Sequence, residues 1–321
     1  MTDMMTRRLA RLADTLDALG IDNGPRVYNA LRSTDGGNYA TLLGTHIHKA
    51  ELGIARGARN AVQYCAPHLD SRIKGHNGCP FASPGCIGTC IKTTGHNVTA
   101  LADRARIKRS ARWFLDPQRT LQDLDREIDA LEKRAAKQDL HPTVRLAGTD
   151  DRRYWAMVEG WQDRPTQFYD YTKRPLTPAH LRAFREGWHV TYSLSENARA
   201  MRHSQQWAAH GVNTAIVVGG PVGSTTTVAK KVAAALVKRG EFAGRPTIDG
   251  DRDDLRWMDP AAGGWVVLSA KGGKTKHDES GFVVRFDPAV LLGTDWSPET
   301  ALLSTFDRQR FNPNAAAAAA K

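Results

Sequence analysis

Apolar positions along the chain follow two rhythms, and the change comes near His141. Before it the pattern is helical. Leu9, Leu12, Leu16 and Leu19 recur at spacings of three and four, which predicts an amphipathic helix over Thr6–Leu19. Gly20 ends it. Ala100–Arg112 reads as a basic helix. In Thr120–Leu140 one face carries Leu121, Leu124, Ile128, Leu131 and Ala135, and Asp123, Arg126, Glu127, Glu132 and Lys133 cover the other. Ile21–Gly44 is Gly-rich and poorly periodic, and the stretch from Lys49 to Cys65 reads as short helix or irregular chain.

After His141, short apolar runs alternate with helical patterns. The predicted strands are Thr143–Ala147, Gln167–Tyr171, His189–Leu194, Thr214–Val218, Arg245–Ile248 and Trp265–Ala270. The predicted helices between them are Trp155–Trp161, Pro178–Glu186, Ala198–His210 and Thr226–Arg239. Strand–helix–strand units in series predict an α/β fold with parallel strands. About five such units favour a TIM-like barrel or partial barrel, with an open doubly wound sheet as the alternative. The expected division is an N-terminal extension over 1–64, a cysteine-rich loop over 65–99, a barrel-like domain over 100–300 and a tail over 301–321. The tail ends in a run of alanines and is expected to be disordered.

Composition narrows the setting. The hydrophobic share of 41% supports a sizeable core. No apolar run is long enough to span a membrane, and the arginines near the N-terminus have no apolar segment behind them. The expectation is a cytoplasmic protein with reduced thiols. The net charge of +11 favours anionic partners, either a small molecule or nucleic acid. Arg104, Arg106, Lys108, Arg109 and Arg112 form the densest basic run.

Three of the four cysteines, Cys79, Cys86 and Cys90, fall within twelve residues rich in Pro, Gly, Ser and Thr. That composition makes the stretch a loop. Thiolates are the preferred ligands of iron–sulfur clusters and of zinc. The C-x6-C-x3-C spacing suits three corners of a [4Fe–4S] cluster better than a zinc site, with Cys65, His76, His96 or a small molecule as fourth ligand. Zn2+ and unligated cysteines are the alternatives.

Other motifs are weaker. His46-Ile47-His48 resembles the metal-binding pair of rolling-circle nucleases, in which strand alternation puts both imidazoles on one face. A metal-dependent nickase is one reading of it. The turn Gly219, Gly220, Gly223 and Ser224 leads into a helix and is a candidate anion or cofactor cradle, although it lacks the Gly-Lys-Ser/Thr ending of a Walker loop. Ile248-Asp249-Gly250-Asp251 is acidic, and Lys271, Lys274 and Lys276 are basic. In parallel α/β proteins the ligand site lies at the carboxyl ends of strands. There the chain places Arg145, Thr149, Asp150, Asp170, Tyr171, Lys173, Ser195, Glu196 and Asp249. Taken singly, Thr149, Asp150 and Ser195 read as caps of the next helix.

With these residues in view the chain resembles a phage-encoded, uncharacterised family, the gene product 88 proteins. The likeness runs over residues 40–285. It rests on the Cys79-Pro80 … Cys86 … Cys90 loop, Val144-Arg145-Leu146 ending in Gly148-Thr149, and Phe168-Tyr169-Asp170-Tyr171-Thr172-Lys173. It also rests on Ser193–Glu196 and on Ile248-Asp249-Gly250-Asp251 with Asp254-Leu255-Arg256. Cys65 stands outside the shared pattern. The resemblance implies a phage origin and a host-cell location, not an activity. More distantly, a three-cysteine loop ahead of βα units is similar to radical S-adenosylmethionine enzymes, though their spacing is C-x3-C-x2-C. That likeness implies S-adenosylmethionine as a cofactor at the open iron.

The resulting expectation is a cluster-binding α/β protein with redox or radical chemistry on an anionic substrate. Cys79, Cys86 and Cys90 would hold the metal. Arg145, Asp170, Lys173, Glu196 and Asp249 would be catalytic, and Tyr171, Ser195, Gly219, Gly220, Gly223 and Ser224 would bind cofactor. The alternative is a nucleic-acid-binding protein with a structural cluster or zinc.

Overall fold

A computed structural model describes residues 3–33, 41–45, 48–294 and 296–312. Two units form. The first comprises Met1–Phe81, His96–Asp170 and Arg182–His189, and the second Ala82–Gly95, Tyr171–Leu181 and Val190–Lys321. Residues 65–81 and 96–99 of the cysteine-rich stretch belong to the first unit and residues 82–95 to the second.

In the first unit the strands are β1 (Leu43–Gly44), β2 (Ala58–Gln63), β3 (His141–Arg145) and the start of β4 (Gln167–Thr172). β1 is antiparallel to β2, β2 is parallel to β3, and β3 is parallel to β4. The leucine stripe of the Asp3–Leu19 helix is buried as its spacing predicts. It packs with Val27, Tyr28 and Leu31 and with Ile107, Ala111 and Leu115 of the Ala100–Leu115 helix. The Pro117–Ala136 helix starts at a good stop-start signal: Asp116 caps it by accepting from Arg119 N, with Pro117 following. Its predicted face, Leu124, Ile128, Leu131 and Ala135, is buried.

The basic run is the first correction. Arg106, Lys108, Arg109 and Arg112 are all buried in the Ala100–Leu115 helix, Arg112 to 1% exposure. They are not a solvated face for nucleic acid. Arg109 Nε donates to Thr41 O (2.9 Å) and Nη1 to Tyr64 O (3.2 Å), and Lys108 Nζ donates to Ser33 O (3.2 Å). Arg112 Nη2 donates to Asp123 Oδ2 at 2.8 Å. The same oxygen accepts from Tyr28 Oη (3.0 Å) and meets Arg32 Nε at 3.2 Å.

The second unit contains the rest of β4 and β5 (His189–Ser193), β6 (Thr214–Gly219), β7 (Glu241–Phe242), β8 (Arg245–Asp249), β9 (Trp265–Ser269) and β10 (Val283–Arg285). β9 pairs β6 along its length, β8 pairs β9 in parallel, and β7 returns antiparallel on β8. The other side of β6 is shared. β5 pairs its first residues (Tyr192↔Thr214, Ser193↔Ala215), and β10 its last (Val283↔Val217 to Arg285↔Gly219). The chain after Leu194 must therefore leave the sheet where β10 enters. The Thr226–Arg239 helix buries Ala229, Val232, Ala233 and Leu236 and ends at Gly240 in the left-handed region, φ 77°.

The barrel expectation is corrected as well. The fold is α/β with mostly parallel strands, but the strands do not close among the described residues. β1 and β7 are two-residue antiparallel strands that each pair one neighbour, whereas a barrel needs every strand paired on both sides at constant shear. The expected Trp155–Trp161 helix is two single 3₁₀ turns, Tyr154–Ala156 and Trp161–Asp163, separated by Gly160 at φ 65°. The tail is ordered further than expected. Thr305–Arg310 is helical, and Phe311 is buried with its ring 4.9 Å from that of Phe242. Residues 313–321 lie outside the described residues. Among the described residues no helix is long and apolar enough to cross a membrane.

Removing one partner of a buried ion pair leaves the other charge desolvated. Asp123→Ala is expected to lower stability by about 3–5 kcal/mol, read as a shift of the urea unfolding midpoint. An unchanged midpoint would show that the Arg112 guanidinium does not depend on this carboxylate.

Candidate functional site

In the first unit the chain leaving β3 crosses the end of β2. Gly148 N donates to Gln63 O at 2.9 Å, and a Cβ on Gly148 would run into that same backbone oxygen. Only glycine allows this approach. The crossing brings the next residues onto both cysteine-bearing segments. Thr149 Oγ1 donates to Cys65 O (2.5 Å), Thr149 O lies 3.6 Å from Cys79 Sγ, and Asp151 N donates to Gly78 O (2.9 Å). The end of β3 thus clamps the approach to the cysteine loop.

A buried polar cluster sits beneath it. Tyr154 Oη is 2.9 Å from Asp150 Oδ2 and 3.4 Å from Cys65 Sγ, and Arg152 Nε is 3.4 Å from Asp150 Oδ2. Arg152 Nη2 donates to His76 Nε2 at 2.9 Å. An arginine can only donate, so that imidazole nitrogen is unprotonated. Burial, with Arg152 and Arg11 nearby, pushes His76 down to about 4. Burial raises Asp150 to about 6 and, with Asp150 adjacent, Cys65 to about 11. In this surrounding Cys65 is held as a buried thiol. His76 has its Nε2 committed, and His96 is exposed.

Arg145 and Asp170, expected to be catalytic, lie near one another. Asp170 Oδ1 accepts from Ala147 N (2.6 Å) and Oδ2 from Trp188 Nε1 (3.2 Å), and burial pushes its carboxyl up to about 8. Arg145 Nη2 donates to Gly148 O at 3.4 Å.

In the second unit the residues after β5 gather. Lys173 Nζ donates to Ser193 Oγ (2.8 Å) and lies near Ser193 O and Leu194 O, with the Phe282 ring centroid 5.0 Å away. Ser195 is buried, and its carbonyl meets Arg310 Nη1 at 3.5 Å. Glu196 accepts from Ser83 Oγ and from Gly85 N, both at 2.6 Å, and so binds the turn that carries Cys86. Tyr171 is half-buried in β4. Asp249 closes its own turn by accepting from Asp251 N and Arg252 N.

The turn expected to cradle an anion has two of its amides already paired. Gly223 N donates to Lys276 O (2.8 Å) and Ser224 N to Pro221 O (3.0 Å), so these amides already have acceptors. Gly219 O and Gly220 O accept from Phe286 N and Arg285 Nη1. His46 lies outside the described residues, and His48 opens the His48–Ile54 helix, so the strand alternation required by the nickase reading is absent at His48. Cys79, Cys86 and Cys90 are half-buried. Among the described residues no group of three or more His, Cys, Asp or Glu side chains stands assembled as a metal-binding set. Sequence reasoning missed Arg152, Tyr154, Ser83 and Gly85. Ser83-Pro84 was readable as a helix cap followed by its N1 proline, but its link to Glu196 is long-range and leaves no local trace.

The fold and these contacts define an α/β protein in which each unit holds a stretch of a cysteine loop at its own strand ends. A family model described as gene product 88 matches residues 39–285. The chain belongs to that family. No curated protein and no solved structure matches it, so the likeness to radical S-adenosylmethionine enzymes gains no support from the comparisons.

The raised Asp150 carboxyl has a pH consequence. Its protonated form is favoured by folding, so this contribution is full below the ordinary value of 3.8 and is lost as pH rises through about 6. The stability of the natural protein relative to Asp150→Asn is expected to fall by about 1–3 kcal/mol across that window. Urea unfolding of both proteins at several pH values measures it, and a constant difference would refute the assignment.

Proposed function

We propose that this protein binds an iron–sulfur cluster, with zinc as the alternative, through Cys79, Cys86 and Cys90. The observation that carries the reading is the contrast between these three cysteines and the fourth. The three are half-buried on a loop held at Cys79 by Thr149 and at Ser83 and Gly85 by Glu196, whereas Cys65 is fully buried. Three thiols on one Pro- and Gly-rich loop fit the donor chemistry of either metal. The ligands are not an assembled set, so no coordination geometry or reaction step is drawn from them.

The catalytic form of this reading adds S-adenosylmethionine and an anionic nucleotide or nucleic acid as substrate. Its support is the count of three cysteines and the charge of +11. Formation of 5′-deoxyadenosine by the anaerobically reduced protein tests it, and absence of that product would remove the radical version. The nucleic-acid-binding alternative keeps the net charge of +11 as support but not most of the basic run, because Arg106, Lys108, Arg109 and Arg112 are buried.

Anaerobic purification with iron, sulfide and zinc analysis decides the metal. The expected result is a coloured protein with about four irons per chain. The metal should be lost on Cys79→Ser, Cys86→Ser or Cys90→Ser and retained in Cys65→Ser. A colourless protein with about one zinc, lost in the same three variants, would make the loop a structural clip. Equal loss in Cys65→Ser would overturn the three-ligand assignment.

A further inference from the structure

We infer that Glu196 is the positioning residue of the Cys86 turn. The inference rests on the metal-loop reading for its purpose, but its geometry stands within the second unit alone. β5 leaves β6 after Leu194, because β10 takes the remaining length of β6. Glu196 is thereby released from the strand ladder, and its carboxylate is aimed at the Pro84–Gly88 helix. One oxygen accepts from Ser83 Oγ and the other from Gly85 N, each at 2.6 Å. Ser83 Oγ in turn accepts from Cys86 N at 3.3 Å. The path from strand end to cysteine backbone is therefore two hydrogen bonds long, and its first link is charge-assisted.

The fit is tight on the other side of the turn. Gly85 is buried, and a Cβ there would collide with Ser280 Oγ, with Glu196 Oε1 and with Phe282 Cβ. Ser280 cannot easily retreat, since its Oγ donates to Asp278 Oδ1 at 2.6 Å and accepts from Phe282 N. Arg310 holds the carbonyls of Ser195 and Gly281 on either side of this contact, 3.5 and 3.2 Å away. Glutamate at 196 supplies two acceptors to two donors.

The test is site-resolved alkylation of the full-length chain, reduced and treated with chelator, with each cysteine followed by peptide mass spectrometry. In Glu196→Ala, Cys86 is expected to react about tenfold faster, the scale of one lost charge-assisted hydrogen bond, while Cys65 and Cys79 keep their rates. Gly85→Ala should do the same with the carboxylate intact, and Glu196→Gln, which keeps one acceptor, should fall between. If the natural protein carries metal, Glu196→Ala should also release it faster to chelator. An unchanged Cys86 rate in both Glu196→Ala and Gly85→Ala overturns the assignment. If Glu196→Ala speeds all four cysteines, the chain has lost its fold, and Ser83→Ala decides instead: a selective rise at Cys86 supports the assignment and no rise overturns it. A metal-free natural protein would refute the metal reading and leave the alkylation result to judge Glu196.

Discussion

A cation taken out of water must be met by an acceptor, and the first unit is organised by that requirement. Burying Arg109, Lys108 and Arg112 in one helix is costly unless each finds partners. The partners come from chain that has no secondary-structure rhythm of its own. Ser33, Thr41 and Tyr64 offer carbonyls, and Asp123 offers a carboxylate from the following helix. Poorly periodic segments cannot place themselves by amphipathicity. Here they are placed by donors projecting from a helix that packs through its apolar residues against the N-terminal leucine stripe. The basic residues therefore act as internal braces rather than as a charge field.

The same economy governs the strand ends. Parallel strands stop with backbone groups still to be satisfied, and the side chains beyond them do that work. Asp170 accepts from Ala147 N, Lys173 donates to the end of β5, and Asp249 closes its own turn. A polar residue at the carboxyl end of a strand is thus weak evidence for catalysis by itself. What separates a brace from a site is whether any atom of the group remains uncommitted. Glu196 falls with the braces, yet what it braces is the cysteine-bearing turn.

Much of the fold was legible because it is written in local pattern. Runs such as Thr214–Val218 and Trp265–Ala270 are rich in β-branched and aromatic residues and appear as strands where expected. β2 was missed because Ala-Arg-Asn-Ala-Val-Gln has neither alternation nor β-branched density. It becomes a strand through its neighbour β3. β10 is three residues long and owes its place to the vacancy left on β6. The barrel failed for a related reason: strand count and order are visible in sequence, whereas closure depends on what pairs the ends. The burial of Arg106, Lys108, Arg109 and Arg112 was not legible, since counting arginines does not reveal what packs over them.

The cysteines show how environment divides residues that composition lumps together. All four are thiols with the same intrinsic chemistry, and metal ligation takes the thiolate. Cys65 is sealed beside Asp150 and Tyr154, where a second negative charge would be both desolvated and repelled, and its thiol rises to about 11. Cys79, Cys86 and Cys90 are half-buried and face no such sealing. The Thr149 carbonyl meets the Cys79 sulfur directly, whereas the Glu196 carboxylate reaches only the backbone and the Ser83 hydroxyl of the turn that carries Cys86. One sealed thiol and three half-buried ones on a single loop are thus four different environments for one side-chain chemistry.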